Sequence, residues 1–179
     1  MEFAGLSNRV EARLRQAGPA TPAPGGRLGH NPAFSAGGKA MKARIKWVEN
    51  VCFVGESGSG HAIVMDGAPE GGGRNLGMRP METVLIGTGG CTAYDVVHIL
   101  KKSRAAVTDC VVEIDSERAA EDPKVFTKIH FHFVVTGRQL KPQQVERAVH
   151  LSAEKYCSAS IMLGKTATIT HDFEIREAE

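Results

Sequence analysis

A chain of 179 residues is long enough to bury a core of its own and short enough to form one domain. Hydrophobic residues make up 42% and charged ones 23%, as in ordinary globular proteins, and a net charge of +2 leaves no electrostatic footprint for nucleic acid or an anionic membrane. The start carries no apolar signal segment, and no uninterrupted apolar run approaches the roughly 18 residues of a spanning helix.

Residues 1–40 differ in composition from everything that follows. They hold Gly18-Pro19-Ala20-Thr21-Pro22-Ala23-Pro24-Gly25-Gly26, which buries too little apolar surface to offset its ordering entropy. A disordered extension is expected over 1–40 and a folded domain over 41–179. Arg44 to Val48 and Val51 to Gly55 alternate as strands around a turn at Glu49-Asn50. Gly58-Ser59-Gly60 marks another turn before a third strand at His61 to Met65, and Ala68 to Gly77 reads as a glycine-rich loop.

Pro80 suits the first turn of a helix that runs to about Ser103, where Lys101 and Lys102 favour the negative end of the helix dipole. Ile86 to Ala93 is almost free of charge, so this helix is expected to be buried on most sides. Asp109 to Ser116 and Lys128 to Val135 alternate as two strands with a hairpin loop between them. A helix follows from Lys141 to Tyr156, with Val145, Ala148, Val149 and Ser152 on its apolar stripe, then a break at Cys157. Thr166 to Arg176 supplies a last strand. The order β-β-β-α-β-β-α-β makes the expected class α+β, with a long buried central helix.

Four cysteines beside a full core do not form a secreted disulfide scaffold, so a cytoplasmic protein with reduced thiols is expected. Cys52 and Cys110 sit among strand residues and read as packing groups. Cys91 follows Gly87-Thr88-Gly89-Gly90, and Cys157 opens the small run Cys157-Ser158-Ala159-Ser160. Small neighbours leave a thiol room for a reactant, and two such thiols suit attack and resolution. Buried small hydrophobes are the plainer reading of the same residues. Asp95 and His98 follow Cys91 at i+4 and i+7 on its helix face. His130 and His132 share one strand face with no evident third metal ligand. Gly71 to Gly77 lacks the Lys-Ser/Thr pair of a phosphate loop, so neither cofactor nor metal is expected.

Several separate blocks resemble the OsmC/Ohr superfamily of thiol-dependent hydroperoxide reductases, in particular its YhfA-like branch. They are Ala43-Arg44-Ile45-Lys46-Trp47-Val48-Glu49, Arg79-Pro80-Met81-Glu82, Gly89-Gly90-Cys91-Thr92-Ala93-Tyr94-Asp95-Val96-Val97, Val135-Thr136-Gly137-Arg138 and Ala153-Glu154-Lys155-Tyr156-Cys157-Ser158. The likeness covers residues 41–179. It implies an intertwined homodimer with two central helices wrapped by sheets and the sites at the subunit interface. It makes Cys91 the peroxidatic and Cys157 the resolving cysteine. The family places a Glu directly after the helix-opening Pro, paired with a thiolate-stabilising Arg. Here Met81 stands in that place and Glu82 follows, a step of 100° around the helix, so the resemblance makes Glu82 the candidate catalytic carboxylate beside Cys91 and Cys157. Arg44, Arg74 and Arg79 are the candidates for the Arg.

The expected function is reduction of an organic hydroperoxide through Cys91 and Cys157, with an external dithiol as reductant. The alternative is a non-catalytic dimeric protein that binds a small molecule on the same fold.

Overall fold

In the computed structural model the described residues are 41–179, and the expected extension over 1–40 lies outside them. The chain divides into two compact units between Met78 and Arg79.

In the first unit, β1 (Ala43–Glu49), β2 (Cys52–Ser57) and β3 (Ala62–Met65) form an antiparallel meander. Its first turn uses Asn50 at φ 46°, a left-handed conformation that Asn tolerates. The Trp47 indole N–H donates to the Asn50 carbonyl at 2.8 Å and closes that turn. β1 is exposed along its whole length, Ile45 and Trp47 included.

Beyond β3 the buried Asp66 organises the glycine-rich loop. Its carboxylate accepts the backbone N–H groups of Gly67 at 2.8 Å and of Arg74 and Leu76 at 3.0 Å each. A Cβ on Gly73 would lie 2.0 Å from the Gly67 carbonyl oxygen, so the loop closes this tightly only around glycine. Those donors, the Leu76 N–H foremost, hold the Asp66 carboxyl below its usual range. A depressed carboxyl stabilises the fold above the unfolded-state pKa, and that stability fades as pH falls through the folded value. Hydrogen exchange should show the Gly67, Arg74 and Leu76 amides protected at neutral pH and opening as pH drops below about 4. Unchanged protection at those three amides in Asp66→Asn at neutral pH would refute this account.

The second unit opens with α1 (Pro80–Lys102). Pro80 occupies the first helical position, and the Glu82 carboxylate accepts the Arg79 backbone N–H at 2.8 Å. β4 (Ala106–Arg118) and β5 (Phe126–Arg138) form a long antiparallel hairpin. The chain then crosses through α2 (Pro142–Leu151), a π-helical turn (Ser152–Tyr156) and α3 (Ser158–Leu163). β6 (Thr168–Glu177) returns parallel to β5, so the sheet order is β4-β5-β6. β5, paired on both edges, points Ile129, Phe131, Phe133 and Val135 into the core that Val96, Leu100, Val145 and Val149 complete.

The α+β class and the element order are as expected, with a short helix added before the last strand. Within the single chain the burial of α1 is one-sided. Thr88, Gly89, Thr92, Val96 and Leu100 are buried on one side, whereas Ile86 and Tyr94 are 57% and 70% exposed on the other. A single three-stranded sheet covers one face of a helix and leaves the opposite face open. α1 is also long and apolar enough to cross a membrane by length and composition alone, although no uninterrupted apolar run in it reaches that length. Its buried stripe packs against β4, α2 and α3, so its apolarity has a partner within the chain.

Candidate active site

Helical spacing puts Cys91 and Asp95 one turn apart on the same side of α1, with Thr92 between them turned into the core. Thr92 and Ser152 share a buried hydrogen bond of 2.8 Å between their hydroxyls, and Ser152 Oγ also lies 3.3 Å from the Thr92 carbonyl. Ser152 Oγ reaches Asp95 Oδ2 at 3.4 Å. One serine thus joins the start of the π turn to the middle of α1.

The π turn carries the chain from Ser152 to Cys157. Its signature bond runs from the Cys157 N–H to the Ser152 carbonyl at 2.9 Å, spanning five residues instead of four. Cys157 then caps α3, where the Ser160 N–H and hydroxyl lie 3.4 and 3.1 Å from its sulfur. The outcome is a cluster in which the Cys91 and Cys157 sulfurs and an Asp95 carboxylate oxygen all lie within 4.8 Å of one another. The structure therefore brings together the two cysteines singled out in the sequence and adds Asp95.

The two thiols differ in environment. Cys157 is fully buried, and burial pushes its thiol up, opposed in part by the two donors of Ser160. Cys91 is half-buried. Among the described residues Asp95 forms no ion pair; the one hydrogen bond of its carboxylate is from the Ser152 hydroxyl. Beside it a cleft of about 830 Å³ is lined by His98, Ile99, Lys102, Arg147, Leu151 and Tyr156. His98 is exposed and stacks on Tyr94, with ring centroids 5.9 Å apart.

Glu82 does not join this cluster within one chain. Nine residues of helix set it about 13 Å along the axis from Cys91, and its carboxylate caps the helix start. Arg44 pairs with Glu56 at 2.9 Å and Arg74 with Glu49, both inside the first unit, while Arg79 stands at the α1 N-cap. The remaining cysteines are packing thiols. Cys52 is buried in β2, and burial among its β4 neighbours pushes Cys110 up to about 11. His130 and His132 meet the exposed Asp172 of β6, with the shorter contact of 2.5 Å made by His132.

Ser152 and Ser160 did not stand out in the sequence. The only signal for Ser160 was its place three residues after Cys157, the offset at which a helix cap finds its donor. Ser152 sits on the apolar stripe of α2 as a small residue, which conceals its bond to a distant threonine.

The protein-family model described as OsmC-like protein matches residues 71–172. The chain is 54% identical over 138 residues to protein YhfA of Escherichia coli strain K12, covering 75% of this chain and 98% of that one. It is similar to a hypothetical protein from Aquifex aeolicus VF5, at 28% identity and a TM-score of 0.69, over 79% of this chain and 99% of the other. An organic hydroperoxide resistance protein, OsmC, from Legionella pneumophila shares the fold at 15% identity and a TM-score of 0.58, over 76% of this chain and 97% of that one.

Proposed function

The chain belongs to the OsmC-like protein family, and on that footing we propose that it reduces organic hydroperoxides with Cys91 and Cys157. The observation that carries this reading is a pair of thiols of unequal burial held within 4.8 Å of each other. The hydroperoxide resistance named for the Legionella protein of the same fold is in keeping with it.

The unequal burial supports a division of labour. The half-buried Cys91 attacks as thiolate at the terminal peroxide oxygen, the O–O bond breaks, and the alkoxide takes a proton and leaves as alcohol. Cys91 is then a sulfenic acid. Cys157 loses its proton, attacks the Cys91 sulfur and expels water, leaving a disulfide. Asp95, within 4.8 Å of both sulfurs, is placed to take the Cys157 proton. An external dithiol restores both thiols, as the reducing cytoplasm can supply. The cleft beside Asp95 admits substrate, and Ile99 and Leu151 give it walls that suit an organic group. Glu82 takes no step within one protomer.

A homodimer belongs to this reading. Ile86 and Tyr94 are exposed on α1, and Ile45 and Trp47 separately on β1, large apolar side chains that a partner subunit would take out of water. A Cβ added at Gly87 or Gly90, on the open side of α1, would meet nothing within 4 Å, which leaves room for a second helix to approach closely. Light scattering at micromolar concentration should return twice the chain mass; the mass of one chain would remove the dimer.

A ligand-binding role without catalysis is favoured by one observation, the engagement of Glu82 as a helix cap. Stopped-flow mixing of reduced protein with cumene hydroperoxide separates the two readings. One equivalent should be consumed and a Cys91–Cys157 bond should appear in the mass spectrum. A protein that stays reduced is a binder.

A further inference from the structure

Cys91, Asp95 and Cys157 make an unusual neighbourhood for three groups that all become anions. Their ligand atoms lie within 4.8 Å of one another, Cys157 is fully buried, and Asp95 has no ion-pair partner among the described residues. Like charges this close oppose one another's ionisation. A divalent cation at their centre would relieve that opposition in a single step.

We propose that the reduced protein binds one zinc ion per chain through the sulfurs of Cys91 and Cys157 and a carboxylate oxygen of Asp95, with the fourth position open to water. The donor set selects the metal. Two thiolates and one carboxylate suit zinc, whereas magnesium and calcium take oxygen ligands alone. The spacing suits it too, because a tetrahedral ion with Zn–S bonds near 2.3 Å holds its sulfurs about 3.8 Å apart. The surroundings are already built. Ser152 bonds to Asp95 and Ser160 bonds to the Cys157 sulfur, an outer layer that orients two of the three ligands. The cleft at Asp95 gives the ion a way in.

The site is confined to the reduced state. Zinc-bound Cys91 and Cys157 thiolates, one organic hydroperoxide and two protons yield the disulfide, one alcohol, one water and free Zn²⁺. The ion leaves because the disulfide sulfurs carry no charge to hold it. This coupling of release to oxidation rests on the hydroperoxide reading above; the metal site does not.

The test uses cobalt as a spectroscopic stand-in for zinc, titrated anaerobically into the reduced full-length protein. A thiolate-to-cobalt charge-transfer band should saturate at one equivalent per chain, and zinc should displace it. Cys52→Ser and Cys110→Ser should keep the band, while Cys91→Ser and Cys157→Ser should lose it. Asp95→Asn, which removes a charge with little change of shape, should weaken cobalt at least about tenfold. No band in the reduced wild type, or equal affinity in Asp95→Asn, overturns the site. Peroxide consumption by metal-free protein is read separately, so loss of the metal site and loss of the peroxidase reading are distinguishable. If zinc-loaded protein forms the disulfide without releasing zinc, the coupling fails although the site stands.

Discussion

Cys91→Ser should abolish both hydroperoxide consumption and disulfide formation, a loss of several orders of magnitude in the rate of peroxide reduction. The serine hydroxyl does not ionise near neutral pH and cannot replace a thiolate at the O–O bond. Cys157→Ser should behave differently. Its first turnover should proceed, because Cys91 is untouched and half-buried, but the sulfenic acid then has no resolving partner within 4.8 Å. Mass spectrometry should find one added oxygen on Cys91, with further oxidation as peroxide is raised. Cys110→Ser should leave both steps alone, since burial keeps that thiol protonated up to about pH 11. If Cys91→Ser and Cys157→Ser gave identical single-turnover traces, the assignment of attack to Cys91 would be lost.

Phe133→Ala should be among the most damaging single changes to the fold. Phe133 is 1% exposed and sits in the central strand, registered with Val112 on β4 and Phe173 on β6. Removing the ring strips one inward row of all three strands of its middle member and leaves a cavity beneath the helices. Such truncations lose about 3–5 kcal/mol, a large share of a typical stability of about 5–15 kcal/mol. At about 2–4 °C per kcal/mol, the melting temperature should fall by roughly 6–20 °C. Lys128→Ala on the opposite face of the same strand, with a side chain 67% exposed, should stay within about 0.5 kcal/mol. Equal losses in the two variants would mean that the core is not where the register puts it.

The strands and helices were legible because local patterns fixed them. β5 alternates without a break from Ile129 to Phe133, and Pro80 and the Lys101-Lys102 pair bracket α1. The parallel pairing of β6 with β5 was not legible. It joins residues about 40 positions apart, and nothing in either strand's own alternation specifies a neighbour. What covers the outer face of α1 was not legible for a related reason. An uncharged helix segment reports that water is excluded somewhere, not whether the same chain does the excluding. At the site, small neighbours and then family resemblance singled out both cysteines, and helical spacing put Asp95 beside Cys91; the local demand that the Glu82 carboxylate answers at the helix start was not weighed. A carboxylate three residues past an N-cap meets that demand before any distant one.

The π turn between Ser152 and Cys157 has a consequence for which changes the site can absorb. Its extra residue sets the rotational phase at which the chain leaves α2, and hence the direction in which the Cys157 sulfur points. Ala153, Glu154 and Lys155 are partly or fully exposed within it, so their identities are free to vary. Their number is not. Deleting any one of them would let the turn close as ordinary helix and swing Cys157 by about 100°, a quarter-turn or more away from Cys91. The partnership of the two sulfurs is therefore indifferent to spelling at 153–155 and intolerant of a change in length there.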